Sequence, residues 1–207
     1  MTESAPQELA RLLPLQLDAL RELANIGAGH AATSLSLMTG RRVGIGVPSV
    51  TVAAFSAVSE MVSGWSEPLS LVRMCTDGHL RAGLLVVFSE PAARELTGLL
   101  LGDSADWPGP MGTSAILEVG NVLGGAYLSA LAGVTGWTIP LSTPELLRAP
   151  AERLIRDLSM DRPASSYALC LETTLTVDGV AASLNGHVLL FPLLAVLPSL
   201  LEVLGLA

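Results

Sequence analysis

Apolar residues recur at helical spacing from about residue 8 to residue 39, and again from Ser114 to Val134. Pro14 separates a short leading helix from the long first one, and Gly40 stops it. Val43 to Val58 is rich in β-branched residues and reads as a strand entered past Pro48. Leu69 to Thr76 and Leu80 to Ser89 read as two strands joined at Asp77-Gly78, a dipeptide suited to hairpin turns. Pro91 fits the first turn of a helix that Gly102 ends, and the Pro- and Gly-containing stretch 103–110 reads as a boundary. The order then repeats. After the second long helix comes a broken stretch from Pro140 to Pro150, then a helical turn within Glu152 to Leu158. Strands Tyr167 to Val177 and Val180 to Phe191 follow, joined at Asp178-Gly179, and a last helix opens at Pro192. Hairpins with segregated helices predict an α+β fold: a largely antiparallel sheet with two long helices and pseudo-two-fold symmetry, not a parallel doubly wound sheet. We expect one domain over 1–207, made of two repeats at about 8–102 and 111–207.

The repetition extends to individual residues. Asp18–Gly40 and Ser114–Gly136, 96 positions apart, share seven identities in 23 aligned positions. Glu22 meets Glu118, Asn25 meets Asn121, Gly29 meets Gly125, and beyond the helix Pro48 meets Pro144 with no gap. On a helix, positions i, i+4 and i+7 fall on a narrow stripe. Asp18, Glu22 and Asn25 occupy that stripe in one copy, and Ser114, Glu118 and Asn121 occupy it in the other. Leu20, Leu23, Ala24, Gly27 and Ala31 lie towards the other side, so one face can bury while the polar stripe stays exposed. A single helix carrying a Glu and an Asn is ordinarily just a solvated face. A solvated face, however, does not require the same residue types at the same offsets in two otherwise divergent halves. Small residues follow each stripe, Gly27 to Gly29 and Gly124-Gly125; glycine inside a helix costs about 1 kcal/mol relative to alanine. Close approach of another backbone, from a packed helix or a docking protein, is a plausible reason to keep them.

Composition narrows the function classes. Half the residues are apolar and 14% are charged, enough to build a sizeable core. Net charge is −8, and no Lys/Arg cluster is present to neutralise phosphates, which argues against nucleic-acid binding. Cys75 and Cys170 sit in strand-like segments and read as buried, reduced thiols suited to the cytoplasm. His30, His79 and His187 are scattered without metal-ligand spacing, so no metal site is expected. The N-terminus lacks a secretory pattern. The most membrane-like segment, Val188 to Ala207, is interrupted by Pro192 and Pro198, so no membrane insertion is expected. No Ser/His/Asp or Cys/His constellation and no titratable cluster support a small-molecule enzyme.

The double pattern Asp/Ser-x3-Glu-x2-Asn-x22-Pro is similar to the signature of the CheC family of chemotaxis phosphatases. Asp18, Glu22, Asn25 and Pro48 match the first copy; Ser114, Glu118, Asn121 and Pro144 match the second. The words ELANIGAGHAATSLS and ILEVGNVLGGAYLSAL resemble that family as well, and the likeness covers essentially the whole chain. The resemblance implies removal of the phosphoryl group from the aspartyl phosphate of the response regulator CheY, with Mg²⁺ held by the regulator and none by this chain. It implies one carboxylate and one amide per site. An amide suits the positioning of a water, carrying a donor and an acceptor on one planar group, which gives Asn25 and Asn121 that role. Glu22 and Glu118 would pair with the regulator's lysine. Asp18, Gly29, Pro48, Ser114, Gly125 and Pro144 would serve partner binding. His30 stands where relatives often carry a small or amide residue. Two motifs, against the single motif of the dimerising CheX relatives, imply a monomer with two sites. The alternative reading is a weakly catalytic adaptor that docks phosphorylated CheY or the receptor deamidase CheD.

Overall fold

A computed structural model describes residues 14–46, 49–54, 68–154, 167–180, 184–192 and 197–205. The first long helix, α1 (Pro14–Thr39), buries Leu20, Ala24, Gly27, Ala28, Ala31 and Leu35, a stripe at three- and four-residue spacing. The second, α3 (Pro110–Thr135), has the same 26-residue length and buries Ile116, Val119, Gly120, Leu123, Gly124, Tyr127 and Leu131 among others. The two begin on prolines and end on threonines 96 residues apart, and the duplication fixes both boundaries. Gly40 and Gly136 follow with φ of +64° and +70°, the left-handed conformation that halts a helix and that a side chain would strain. Between them lies α2 (Glu90–Leu101), whose N-cap Ser89 accepts a hydrogen bond from the Ala92 amide and which admits Pro91 in its first turn.

Among the described residues, seven strands form one antiparallel sheet: β1 (Val43–Ile45), β2 (Ser49–Ala54), β3 (Leu69–Thr76), β4 (Ala82–Phe88), β5 (Glu145–Ala149), β6 (Tyr167–Val177) and β7 (Leu184–Pro192). The order is β1-β6-β7-β4-β3-β5, and β2 also pairs with β6. The hairpins β3–β4 and β6–β7 therefore stand side by side at the centre, joined through β4 and β7. The outer strands are exchanged. First-half β2 pairs with second-half β6 (Val50 opposite Leu171), and second-half β5 pairs with first-half β3 (Leu71 opposite Leu147). Each half thus finishes the sheet edge of the other.

One face of the sheet carries Val72, Met74, Leu84, Val86, Phe88, Leu171, Leu175 and Val188, buried in a core with α1, α2 and α3. The opposite face holds a smaller cluster of Leu69, Leu71, Leu85, Val87, Cys170, Leu189 and Phe191 around Ala151 and Leu154, in a helical turn at 151–154. Strand alternation sends β3 and β4 residues to the two faces in turn, as the pleat requires. The sheet is covered on both sides, which accounts for the high apolar content of its central strands.

Several details differ from expectation. Thr76 pairs directly with Ala82, leaving a five-residue connection rather than a two-residue turn at Asp77-Gly78. The second half holds that connection: Asp77 N–H donates to the Pro140 carbonyl and His79 N–H to the Thr138 carbonyl, each at 3.2 Å. Pro192 does not open a helix; it is the last residue of β7, opposite Ala82, and the final helix α4 spans Leu197–Val203. Proline is tolerated at a strand end because the missing N–H forfeits no interior ladder bond. Cys75 is exposed, near the end of β3 beyond the cover of the smaller cluster, whereas Cys170 is buried and desolvation pushes its thiol up to about 11. Among the described helices it is α3, not the C-terminal segment, that has the length and hydropathy to cross a bilayer, and 56% of that window is buried inside the protein, as in a core helix. The predicted leading helix before Pro14, residues 55–58 of the first predicted strand, and Pro48 lie outside the described residues.

Candidate functional site

The candidate site is the outward stripe of α1 and its counterpart on α3, two helices that pack against each other over the sheet. Their contact depends on missing side chains. A Cβ placed on Gly27 would stand 2.5 Å from Tyr127 Cδ1 and 2.9 Å from Tyr127 Cα, so α3 crosses α1 on the bare glycine backbone. The Tyr127 hydroxyl lies 3.3 Å from Thr173 Oγ1 on β6; burial raises the phenol pKa, and this hydrogen bond pulls the other way. On the sheet side, Cβ atoms on Gly120 and Gly124 would meet Val72 at 2.7 Å and Leu84 at 2.6 Å. Removing side chains from the buried side seats α3 low on the sheet and leaves its other side standing clear.

The start of α3 is held separately. The Asp106 carboxylate accepts from the Met111 and Gly112 amides, at 3.2 and 2.5 Å, and so satisfies two of the helix's free N–H groups. Neighbouring Trp107 is buried; its indole N–H donates to Glu90 Oε1 at 3.0 Å, and the Arg148 guanidinium lies 4.9 Å from its ring centroid. Arg148 also donates to Glu90 Oε2 at 2.9 Å. Residues of the inter-repeat stretch and β5 thus meet at the Glu90 carboxylate of α2.

On the stripes themselves, Glu22 and Glu118 are both exposed, and neither forms an ion pair or hydrogen bond among the described residues. Asn25 and Asn121 are half-buried one turn further on. The expectation of a fully exposed stripe therefore holds for the carboxylates but not for the amides. Asn25 Oδ1 is buried with no hydrogen-bond partner among the described residues, an acceptor left open in the isolated protein. Gly29 and Gly125 differ from the buried glycines: a Cβ at either would meet nothing within 4 Å, so both leave open surface beside the amides. The two copies diverge at the stripe's start. Asp18 accepts from Arg21 at 2.7 Å, while the equivalent Ser114 is exposed and Leu117 replaces the arginine. Pro144 is half-buried immediately before β5. His30 is exposed on α1. Among the described residues, no three His, Cys, Asp or Glu side chains gather as a metal-binding group.

The helices carry each stripe one turn further back than the sequence pattern suggested. Leu15 and Met111 are exposed large apolar residues, three positions before Asp18 and Ser114. The available signal was the shared offset of Pro14-Leu15 and Pro110-Met111.

The CheC-like family matches residues 15–52, which covers α1 from its second residue, β1 and the first four residues of β2. The chain is 28% identical to the CheY-P phosphatase CheC of Bacillus subtilis over 183 residues, covering 86% of this chain and 88% of that protein. It is 31% identical to the flagellar motor switch phosphatase FliY of the same organism over 70% of this chain and 39% of that longer protein. The crystal structure of Thermotoga maritima FliY shares the fold, with a TM-score of 0.74 at 21% identity over 93% of this chain and 97% of that one. The chain is thus similar to the CheC-like family over its first long helix and to a CheC protein along most of its length, and it carries the stripe on both helices.

Proposed function

We propose that this protein is a hydrolase that dephosphorylates the aspartyl phosphate of the chemotaxis response regulator CheY. The observation that carries the reading is the pair of unpartnered, exposed carboxylates, Glu22 and Glu118, each with an asparagine one turn on, in a chain similar along most of its length to a protein named a CheY-P phosphatase. Hydrolysis of an acyl phosphate requires a water in line with the scissile P–O bond. The water oxygen bonds to phosphorus, the bond to the aspartate oxygen breaks, and inorganic phosphate leaves with the regulator's carboxylate restored. Asn25 and Asn121 accept a hydrogen bond from that water and fix its direction of attack. Glu22 and Glu118 pair with the regulator's lysine and set the docking register. The regulator supplies Mg²⁺ and the lysine that stabilise charge on the phosphoryl oxygens. This chain needs no nucleophile of its own and acts as a monomer with two sites.

The test follows decay of phosphorylated CheY with wild type, Asn25→Ala, Asn121→Ala and the double variant. Each single substitution should leave partial acceleration, and the double variant should fall at least about a hundredfold, towards the regulator's own rate. Wild-type activity in the double variant would remove the water-positioning role. No acceleration by wild type, with CheY or CheD still bound, would favour the adaptor reading.

A further inference from the structure

Six large apolar side chains are exposed among the described residues: Leu15, Ile26, Leu37, Met111, Val134 and Val203. Scattered exposed apolar residues are ordinary on any protein surface. Of these six, only Leu15 and Met111 fall on each other at the 96-residue offset of the repeat; the counterparts of Ile26 and Val134, which are Val122 and Met38, are half-buried. Nearby, Pro14/Pro110 and Ala19/Ala115 are identical, whereas Leu17 stands opposite Thr113, Arg21 opposite Leu117 and His30 opposite Ala126. Both side chains stand well clear, at 69% and 56% exposure.

Their position on the helix is specific. Leu15, Asp18, Glu22, Asn25 and Gly29 follow one another at intervals of three and four, which places all five within an arc of about 80° at about 100° per residue. Met111, Ser114, Glu118, Asn121 and Gly125 do the same. At about 1.5 Å per residue each stripe runs roughly 21 Å along its helix. It has an apolar knob at one end, an unpartnered carboxylate and an amide in the middle, and a bare backbone at the other end.

We infer that Leu15 and Met111 are the apolar anchors of the two docking stripes, and that their occupant is the phosphorylated receiver domain of the proposed reaction. This rests on the phosphatase reading, because the partner must reach Glu22 or Glu118 with a cation and cover the asparagine at the same time. A charged pair on a wet rim contributes little affinity alone. A single apolar side chain seated in a partner's hollow two turns away supplies the larger share of the affinity. Leu15 and Met111 contact the regulator away from the phosphoryl group, so they set affinity and not the chemical step.

The experiment uses the double variant Leu15→Glu/Met111→Glu, with Leu37→Glu/Val134→Glu as a control for added charge at unrepeated exposed positions. For the anchor variant, KM for phosphorylated CheY should rise about tenfold or more while kcat stays within about twofold. Its affinity for CheY activated with Mg²⁺ and beryllofluoride should fall by the same factor. The control should match wild type in both measurements. Unchanged KM and unchanged affinity in the anchor variant overturn the inference while leaving the phosphatase reading intact. Equal loss in the control also overturns it, since general repulsion would then suffice. Wild type that neither binds nor dephosphorylates the regulator overturns both.

Discussion

Asn25 keeps its carbonyl oxygen buried without a donor among the described residues, an arrangement that ordinarily costs about 1–3 kcal/mol. Such an acceptor is of use once a water or a partner's N–H arrives, so stability and docking pull on this residue in opposite directions. Asn25→Ala removes the orphan and replaces asparagine by a better helix former, against a modest loss of packing. We predict that its urea midpoint stays at wild type or rises by up to about 1 kcal/mol equivalent while its share of phosphatase activity disappears. A loss above about 1 kcal/mol would identify Asn25 as a structural residue. The identity of the paired Glu and Asn was legible in the sequence because the repeat put them there twice. The half-burial of the amide was not, since it depends on how neighbouring side chains close over one atom. Cys75 was misjudged for a related reason: strand alternation fixes which face it takes, but not how far the cover on that face extends.

Each long helix has two kinds of glycine. Gly27 lies under Tyr127, and a Cβ there would run into the main chain of α3 as well as its ring. Gly27→Ala should therefore cost about 1–3 kcal/mol and lower the melting temperature. At Gly29 and Gly125 the space is open, so alanine should stabilise each helix by up to about 1 kcal/mol. If these positions face the docked regulator, the Gly29→Ala/Gly125→Ala variant should melt higher than wild type yet bind activated CheY more weakly. Calorimetry alongside a binding titration reads both, and a higher melting temperature with unchanged affinity would take the two glycines out of the interface. The helices were the most legible elements, with prolines, threonines and glycines marking both ends twice. The sequence grouped Gly27 with Gly29 because spacing alone does not say which side of a helix meets another helix. Pro192 was similarly ambiguous, since a proline that suits a helix's first turn also suits a strand's last residue.

For the whole molecule, the strands and hairpins were readable but their pairing was not. A strand pattern of alternating apolar residues says which face is buried, not which hairpin it joins. Either hairpin satisfies β2 and β5 by pattern, and only the folded chain assigns them to the opposite half. Val72, Met74 and Leu84 of the first half also lie under Gly120 and Gly124 of α3. The fragment 1–105, produced alone, should therefore lack a cooperative melt and expose apolar surface, as should 106–207, whereas co-expression should restore native-like circular dichroism. A cooperative melt of either fragment alone would show that the strand exchange is dispensable. The exchanged edges also bear on ancestry. A single-copy forerunner of this topology would carry an open strand edge, the surface most prone to uncontrolled pairing, and the arrangement that closes it is a pair of chains lending strands to one another. Joining the two copies in one polypeptide replaces that encounter with a tethered one at an effective concentration on the order of millimolar. It also releases the copies from being identical, and the Asp18–Arg21 pair on one stripe, set against Ser114 and Leu117 on the other, records divergence that two separate but identical chains are not free to make.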